Sequence, residues 1–264
     1  MNRHLYQIAV FSMTAFLMLA NNSVTLSAAD SAPVATEQCP AATPTMNPWS
    51  KKMPSGWWLK RHEDILALPI RKEAEIAFIG DSITDGWDEP NAGLPVWEKE
   101  FGPLKPINLG IVCDSSQHAL WRMLNGEAEG MPNLKLFVIE IGVNNKGINR
   151  HNEEDIEKGI AALCVVLKQK APHARILVQG VFPRSFGSDN SDKLNANLAK
   201  LADGEKVFFI NINSQLKGTE GAIADRVGHL TALGYQVWAD SIRVAVKELM
   251  DHKLKPSSKD YTKN

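Results

Sequence analysis

Five short apolar runs, separated by stretches with helical patterning, constrain this chain more than any other feature. They are Ile76–Gly80, Pro106–Leu109, Leu136–Ile141, Ile176–Val181 and Val207–Ile212. A strand with one face in water alternates apolar and polar residues. These runs are apolar almost throughout, as strands covered on both faces of a parallel sheet must be. The intervals between them read as helices. Asn152 can cap one, with the acids Glu153, Glu154 and Asp155 in its first turn. Ile156, Ile160, Leu163 and Leu167 then share one face, and Pro172 follows the end. A last helix opens near Thr231, with Tyr235, Trp238, Ile242, Val246 and Leu249 as its buried stripe. Alternating strands and helices joined by right-handed crossovers predict an α/β protein, a three-layer α/β/α sandwich around a five-stranded parallel sheet. No internal repeat interrupts the pattern.

The two ends of the chain read differently. Residues 1–29 have the form of a signal peptide: Arg3 is the sole Lys or Arg, Ile8 to Ala20 is apolar, and Ser27-Ala28-Ala29 supplies small residues for cleavage. The apolar run is short of the roughly 20 residues a membrane span needs. Export to a periplasmic or extracellular space is the expectation, with an uncleaved N-terminal anchor as the alternative. Residues 30–56 carry Pro33, Pro40, Pro44, Pro48 and Pro54 among Ala, Thr and Ser, and read as a tether. The folded domain is expected over 57–252, and 253–264 as a disordered tail. After cleavage about 235 residues remain, enough for one domain with a large core. A formal net charge of −1 without basic clusters argues against nucleic acid or an anionic membrane as partner, and no stable membrane insertion is expected once the leader is gone. Cys39, Cys113 and Cys164 are too few, and odd in number, to read as a disulfide framework. Cys164 sits in the run Ala161–Val166 and reads as a buried thiol. No metal-ligand spacing and no phosphate-cradling glycine loop occurs, so no cofactor and no metal is expected.

The chemistry is read from the turns that follow the strands. In Ile76-Ala77-Phe78-Ile79-Gly80-Asp81-Ser82-Ile83-Thr84, an apolar strand ends in small residues, and Ser82 stands where strand gives way to helix. That junction lifts a hydroxyl to the carboxyl edge of the sheet, where open α/β folds place their sites. Asp81 reads as a brace for the turn, or as an ordinary turn residue. The second strand is followed by Ile111-Val112-Cys113-Asp114, the third by Ile141-Gly142-Val143-Asn144-Asn145. The segment Asp225-Arg226-Val227-Gly228-His229 comes before the last helix. One topology brings all four to one edge. Acyl transfer needs a nucleophile, a base, an orienter for the base and donors for an oxyanion. Ser82, His229 and Asp225 supply the first three; the backbone N–H groups of Ser82 and Cys113 and the Asn144 amide supply the donors.

These blocks resemble those of the SGNH, or GDSL-type, hydrolases. The first is Gly80-Asp81-Ser82-Ile83 and the third Gly142-Val143-Asn144-Asn145, while Gln117-His118-Ala119-Leu120-Trp121-Arg122 and Val181-Phe182-Pro183-Arg184 are similar to the branch containing platelet-activating-factor acetylhydrolase subunits and their bacterial relatives. The resemblance spans roughly residues 57–250. It implies a flavodoxin-like sheet, a Ser–His–Asp set without cofactor, and oxyanion donors from the serine N–H, a block-two N–H and the block-three Asn.

Two positions depart from that pattern. The usual Gly-Gly-Asp of block two is Val112-Cys113-Asp114, so a left-handed backbone there would have to carry a Cβ. The usual Asp-x-x-His is stretched, with Asp225 four residues ahead of His229 and Arg226 at the expected acid position. Gly228 can absorb the extra residue as a bulge; otherwise a backbone carbonyl or water orients the histidine and a dyad remains. His62, His118, His151 and His173 read as structural or solvated, Glu153 and Glu154 as helix-end charges, and Trp57, Trp58, Trp87, Trp97 and Trp121 as packing rather than groove residues. The expected function is an exported serine esterase removing short acyl groups, chiefly acetyl, from a carbohydrate or lipid-like ester. The competing reading is a catalytically impaired relative that binds a glycan or cell-envelope partner.

Overall fold

A computed structural model describes residues 39–48, 56–183, 191–251 and Tyr261. The leader expected over 1–29, most of the expected tether, Arg184 and most of the expected tail lie outside the described residues. In chain order the elements are α1 (Trp57–Ala67), β1 (Ile76–Gly80), α2 (Ser82–Asp85), α3 (Leu94–Glu100), β2 (Pro106–Gly110), α4 (Ser116–Arg122), β3 (Leu136–Glu140), α5 (Val143–Gly147), α6 (Glu153–Lys170), β4 (Arg175–Gln179), α7 (Asp192–Leu198), β5 (Val207–Ile210), α8 (Asn213–Gly218) and α9 (Ala232–Met250).

The five strands form one parallel sheet in the order β2-β1-β3-β4-β5. The chain first moves from β1 outwards to β2 and then returns to β3 on the other side of β1. This switch opens a crevice beyond the carboxyl end of β1. Helices α4, α6 and α7 pack together as one group and α3, α8 and α9 as another, while α6 and α9 both contact β4. Every residue of β1 and β3 is buried, which accounts for their largely apolar sequence; Glu140, at the end of β3, is the buried exception.

Local signals fix the long helices. The Asn152 side chain accepts from the Asp155 N–H at 2.8 Å, capping α6, whose Ile156, Ile160, Leu163 and Leu167 are buried. Thr231 caps α9 by accepting from the Gly234 N–H at 3.2 Å. The α9 stripe of Tyr235, Trp238, Ile242, Val246 and Leu249 is wholly inside. Its aromatic members join Phe78, Trp87, Trp97 and Phe101 in one cluster of rings with centroids 4.6–6.5 Å apart. The Tyr235 hydroxyl donates to the Ile83 carbonyl at 2.7 Å, tying α9 to the turn beyond β1. On the opposite flank, Gly110 leaves room for that same turn: a Cβ there would lie 2.2 Å from the Asp85 nitrogen. The turn that carries Ser82 is therefore clamped between β2 and α9.

Two expectations about the ends change. Cys39–Pro48 was expected to be tether but packs on the domain. Ala41 is buried, its carbonyl accepts from Ser116 Oγ at 2.9 Å, and the Thr45 N–H donates to the Gln117 carbonyl at 3.2 Å. Tyr261, expected in a disordered tail, is buried, with its ring 6.3 Å from that of Phe208. Strand limits shift by one or two residues, because β3, β4 and β5 end before Ile141, Gly180 and Asn211, where the chain turns away from the ladder.

Candidate active site

Ser82 is the first residue of α2. Asp81 caps that short helix, its Oδ1 accepting from the Ile83 N–H at 2.9 Å, and its side chain is fully buried. Ser82 Oγ lies 2.9 Å from His229 Nε2, and His229 Nδ1 lies 2.6 Å from Asp225 Oδ2. Both distances are within hydrogen-bond reach. The other carboxylate oxygen of Asp225 accepts from three consecutive backbone N–H groups, those of Val227, Gly228 and His229, at 2.9, 3.0 and 3.1 Å. Burial acts to raise the Asp225 carboxyl, but the His229 ring and these N–H groups outweigh it and hold the group below the usual carboxylate range.

Gly228 makes the four-residue spacing workable. Its φ of 105° is a left-handed conformation that folds the extra residue into a tight loop and turns the imidazole back onto the carboxylate. The loop is stitched by a bridge between Ile223 and Leu230 and by the Ala224 N–H donating to the His229 carbonyl at 2.7 Å. It stands well out in solvent, with the side chains of His229 and Asp225 40% and 44% exposed.

Ser82 and His229 open onto a cavity of about 300 Å³. Val112, Cys113, Val143, Asn144, Ile148 and Val227 complete most of its wall, so Ser82, Cys113, Asn144 and His229 share one space. Cys113 has a φ of 62°. A residue with a Cβ in that conformation carries roughly 1–2 kcal/mol of strain, which glycine would avoid. The Cys113 thiol is pushed up by burial and by the nearby charges of Asp81 and Asp114, so it is not an activated thiolate. Gly142 stands at the junction of β3 and α5 and leads directly into Val143 and Asn144. The Asn144 amide donates to the Asp114 carbonyl at 2.8 Å and to Asp81 Oδ2 at 3.2 Å. It therefore links the three strand-end turns.

Beneath the cavity lies a buried charge network that sequence reading missed. Asp114 Oδ2 accepts from Arg122 Nε at 2.8 Å, and Asp114 Oδ1 accepts from Trp58 Nε1 at 2.7 Å. Arg122 also donates to the Leu109 carbonyl at 2.9 Å and pairs with Glu127, which in turn meets His62 Nδ1 at 2.7 Å. The signal available in sequence was Trp121-Arg122 on a short amphipathic helix, an arginine facing inward. Burial pushes Asp114 up to about 6 against the pull of Arg122. Burial and the charge of Asp114 push Asp81 up to about 7, against the Ile83 N–H. His118 takes a structural part: Nδ1 accepts from the Ser115 N–H at 3.0 Å, and burial followed by the Arg122 charge lowers it to about 3, so its ring is neutral. Trp58 and Trp87 are wholly buried. Among the described residues, no group of three or more His, Cys, Asp or Glu side chains is placed to hold a metal ion, and no helix is long and apolar enough to cross a membrane.

Residues 78–237 match the model of the GDSL-like lipase/acylhydrolase family. The chain is 31% identical over 208 residues to platelet-activating factor acetylhydrolase IB subunit alpha1 of Bos taurus, covering 75% of this chain and 85% of that protein. Among solved structures it is similar to a GDSL-like lipase from Bacteroides thetaiotaomicron, with a TM-score of 0.55, 21% identity, and coverage of 75% of this chain and 97% of that one. It is also similar to a carbohydrate esterase family 3 protein from Talaromyces cellulolyticus, with a TM-score of 0.54, 13% identity, and coverage of 68% and 99%. At these identities the two structures speak to the fold.

Proposed function

Because this chain belongs to the GDSL-like lipase/acylhydrolase family and is a carboxylic-ester hydrolase, we propose that Ser82 is its nucleophile and short acyl esters, chiefly acetyl, its substrates. The observation that carries this reading is the continuous line from Ser82 Oγ through the His229 ring to Asp225, with steps of 2.9 and 2.6 Å. Ser82 Oγ attacks the ester carbonyl carbon as its proton passes to His229 Nε2. Asp225 keeps the Nδ1 proton in place, so Nε2 is the free base, and stabilises the imidazolium that forms. The carbonyl oxygen becomes an oxyanion facing the N–H groups of Ser82 and Cys113. Asn144 joins them by giving up its longer bond to Asp81. His229 then returns the proton to the departing alcohol. Water repeats the sequence on the acyl-serine and releases the acid.

Substrate class follows from two supports. The cavity wall of Val112, Val143, Ile148 and Val227 is apolar and close to Ser82, which suits a short uncharged acyl group. Similarity to an acetylhydrolase subunit favours acetyl esters, with a carbohydrate or lipid-like alcohol as the leaving group. Action outside the cytoplasm is proposed from the leader-like residues 1–29 alone. The rival binding-only reading needed Asp225 beyond reach of His229; a 2.6 Å contact gives it no support.

The test is hydrolysis of acetylated sugars and of short- and long-chain chromogenic esters by the wild type and by Ser82→Ala. The wild type is expected to prefer acetyl esters, and the variant to lose at least about 10⁴-fold in kcat. Equal rates from the two proteins remove Ser82 as nucleophile.

A further inference from the structure

The segment ahead of α1 sends one buried side chain into the oxyanion loop. We propose that Asn47 is a positioning residue, holding the Cys113 carbonyl so that the strained Cys113 backbone keeps its N–H on the Ser82 side of the cavity. The inference rests on the esterase reading above and adds to it a part of the chain outside the resemblance-bearing blocks.

Asn47 is 1% exposed. Its amide donates to the Cys113 carbonyl at 3.0 Å and to Asp114 Oδ1 at 3.1 Å, one acceptor for each amide hydrogen. The bond to Cys113 matters because of the backbone conformation there. At a φ of 62°, Cys113 sits in a region that a residue with a Cβ leaves readily, and leaving it would re-aim the peptide groups on either side of Cys113. Glycine, which this family usually has in block two, would meet no such pull. An external tie on the carbonyl of the same residue opposes that change, and Asn47 supplies it. Trp58 and Arg122 grip only the carboxylate of Asp114, one residue further on; the N–H of the Cys113–Asp114 peptide donates to the Ile111 carbonyl at 3.2 Å, and Asn47 adds the tie on its carbonyl side.

Asn47 is itself held from outside the loop. The segment before it, which opens with a 3-10 turn at Pro40–Ala42, is fixed by Ser116 Oγ donating to the Ala41 carbonyl and by the Thr45 N–H donating to the Gln117 carbonyl. Both anchors lie on α4, the helix that starts just after Asp114. The segment and the oxyanion loop therefore share one platform, and the amide reaches a carbonyl whose place is already set.

The experiment uses the full chain and a short chromogenic acetate ester, with rates expressed per active site titrated by an organophosphonate. Asn47→Ala is expected to lower kcat 10- to 100-fold with KM within twofold. Affinity for a trifluoromethyl ketone, which forms a tetrahedral oxyanion on Ser82, should fall in proportion to kcat/KM. In a Cys113→Gly background the same substitution should cost at least threefold less, because glycine holds the left-handed backbone without help. Should Asn47→Ala fold poorly, Asn47→Ser fills most of the space and cannot reach both acceptors, and it carries the same expectations. A wild-type kcat per titrated site overturns the proposal, as does a loss confined to KM or an equal loss in both backgrounds. The Ser82→Ala control separates the two levels. If that variant still hydrolyses ester, the esterase reading fails; if it is inactive and Asn47→Ala is not impaired, only the positioning role fails.

Discussion

At Asp225 the two carboxylate oxygens do different work. Oδ1 is filled by three backbone N–H donors, so only Oδ2 faces the imidazole. An amide at this position must orient the same way, with its oxygen toward the three N–H groups and its NH₂ toward His229. Nδ1 then has to accept, and the ring proton moves to Nε2, where it faces Ser82 and cannot serve as base. Asp225→Asn is therefore expected to keep the loop folded and KM unchanged while kcat falls roughly 10³–10⁴-fold, the scale of a misdirected triad histidine. Short-ester kinetics check this, and a loss below tenfold would mean that Asp225 does not set the tautomer. Sequence supplied the residues of this arrangement and the glycine that lets the spacing work. The nest of N–H groups was not legible, since it depends on backbone directions that composition does not encode.

Elements were legible where a periodic face had to be buried. The five apolar runs became the five strands, and the stripes of α6 and α9 went inside as spaced. Strand ends were less legible: β4 begins at Arg175 because the stem of that arginine lies in the strand while its guanidinium reaches the Leu249 carbonyl at 2.7 Å. The packing of Cys39–Pro48 was invisible for another reason. Its hold is made of scattered hydrogen bonds and one buried alanine, Ala41, which leave no periodic trace in a Pro- and Thr-rich stretch. Arg122 likewise hid within a helix of mixed composition. Wholly buried and shared between Asp114 and Glu127, it neutralises two carboxylates that have no other route to solvent. Arg122→Met should destabilise the fold by about 3–5 kcal/mol, since it leaves those charges buried and uncompensated. For a domain of this size that lowers the melting temperature by roughly 6–20 °C. A shift under about 2 °C in a thermal melt would contradict the account.

The whole molecule stores protons in its interior. Burial and the charge of Asp81 push the fully buried Glu140 carboxyl well above the ordinary range, while Asp81 itself stands near 7. The unfolded chain loses both protons near pH 4. Between there and the native values the folded state binds more protons than the unfolded one, so stability falls as pH rises. His118, lowered to about 3, works in the opposite direction, but only below about pH 6.5, where the unfolded ring gains its proton. Above that, Glu140 and Asp81 dominate. The melting temperature should decline as pH rises above 6.5, through the titration of Asp81 near 7 and that of Glu140, with a slope of up to about 1.4 kcal/mol per pH unit for each proton retained. Glu140→Gln should flatten much of that decline, and an unchanged slope in the variant would exclude Glu140 as its source.

The same scale shows how unevenly the two ends of the Ser82–His229 contact are anchored. Ser82 stands on a turn wedged between β2 and α9, between the buried Asp81 and Ile83. His229 rides on a solvent-facing loop stitched to its own flanks by one bridge and a few backbone bonds. Regions with few buried contacts open at a small fraction of the global unfolding free energy. Gentle heating is therefore expected to part His229 from Ser82 while the sheet is still intact, and cooling to bring them back together. Loss of esterase activity on heating should track this surface loop, at temperatures below the one at which the core comes apart.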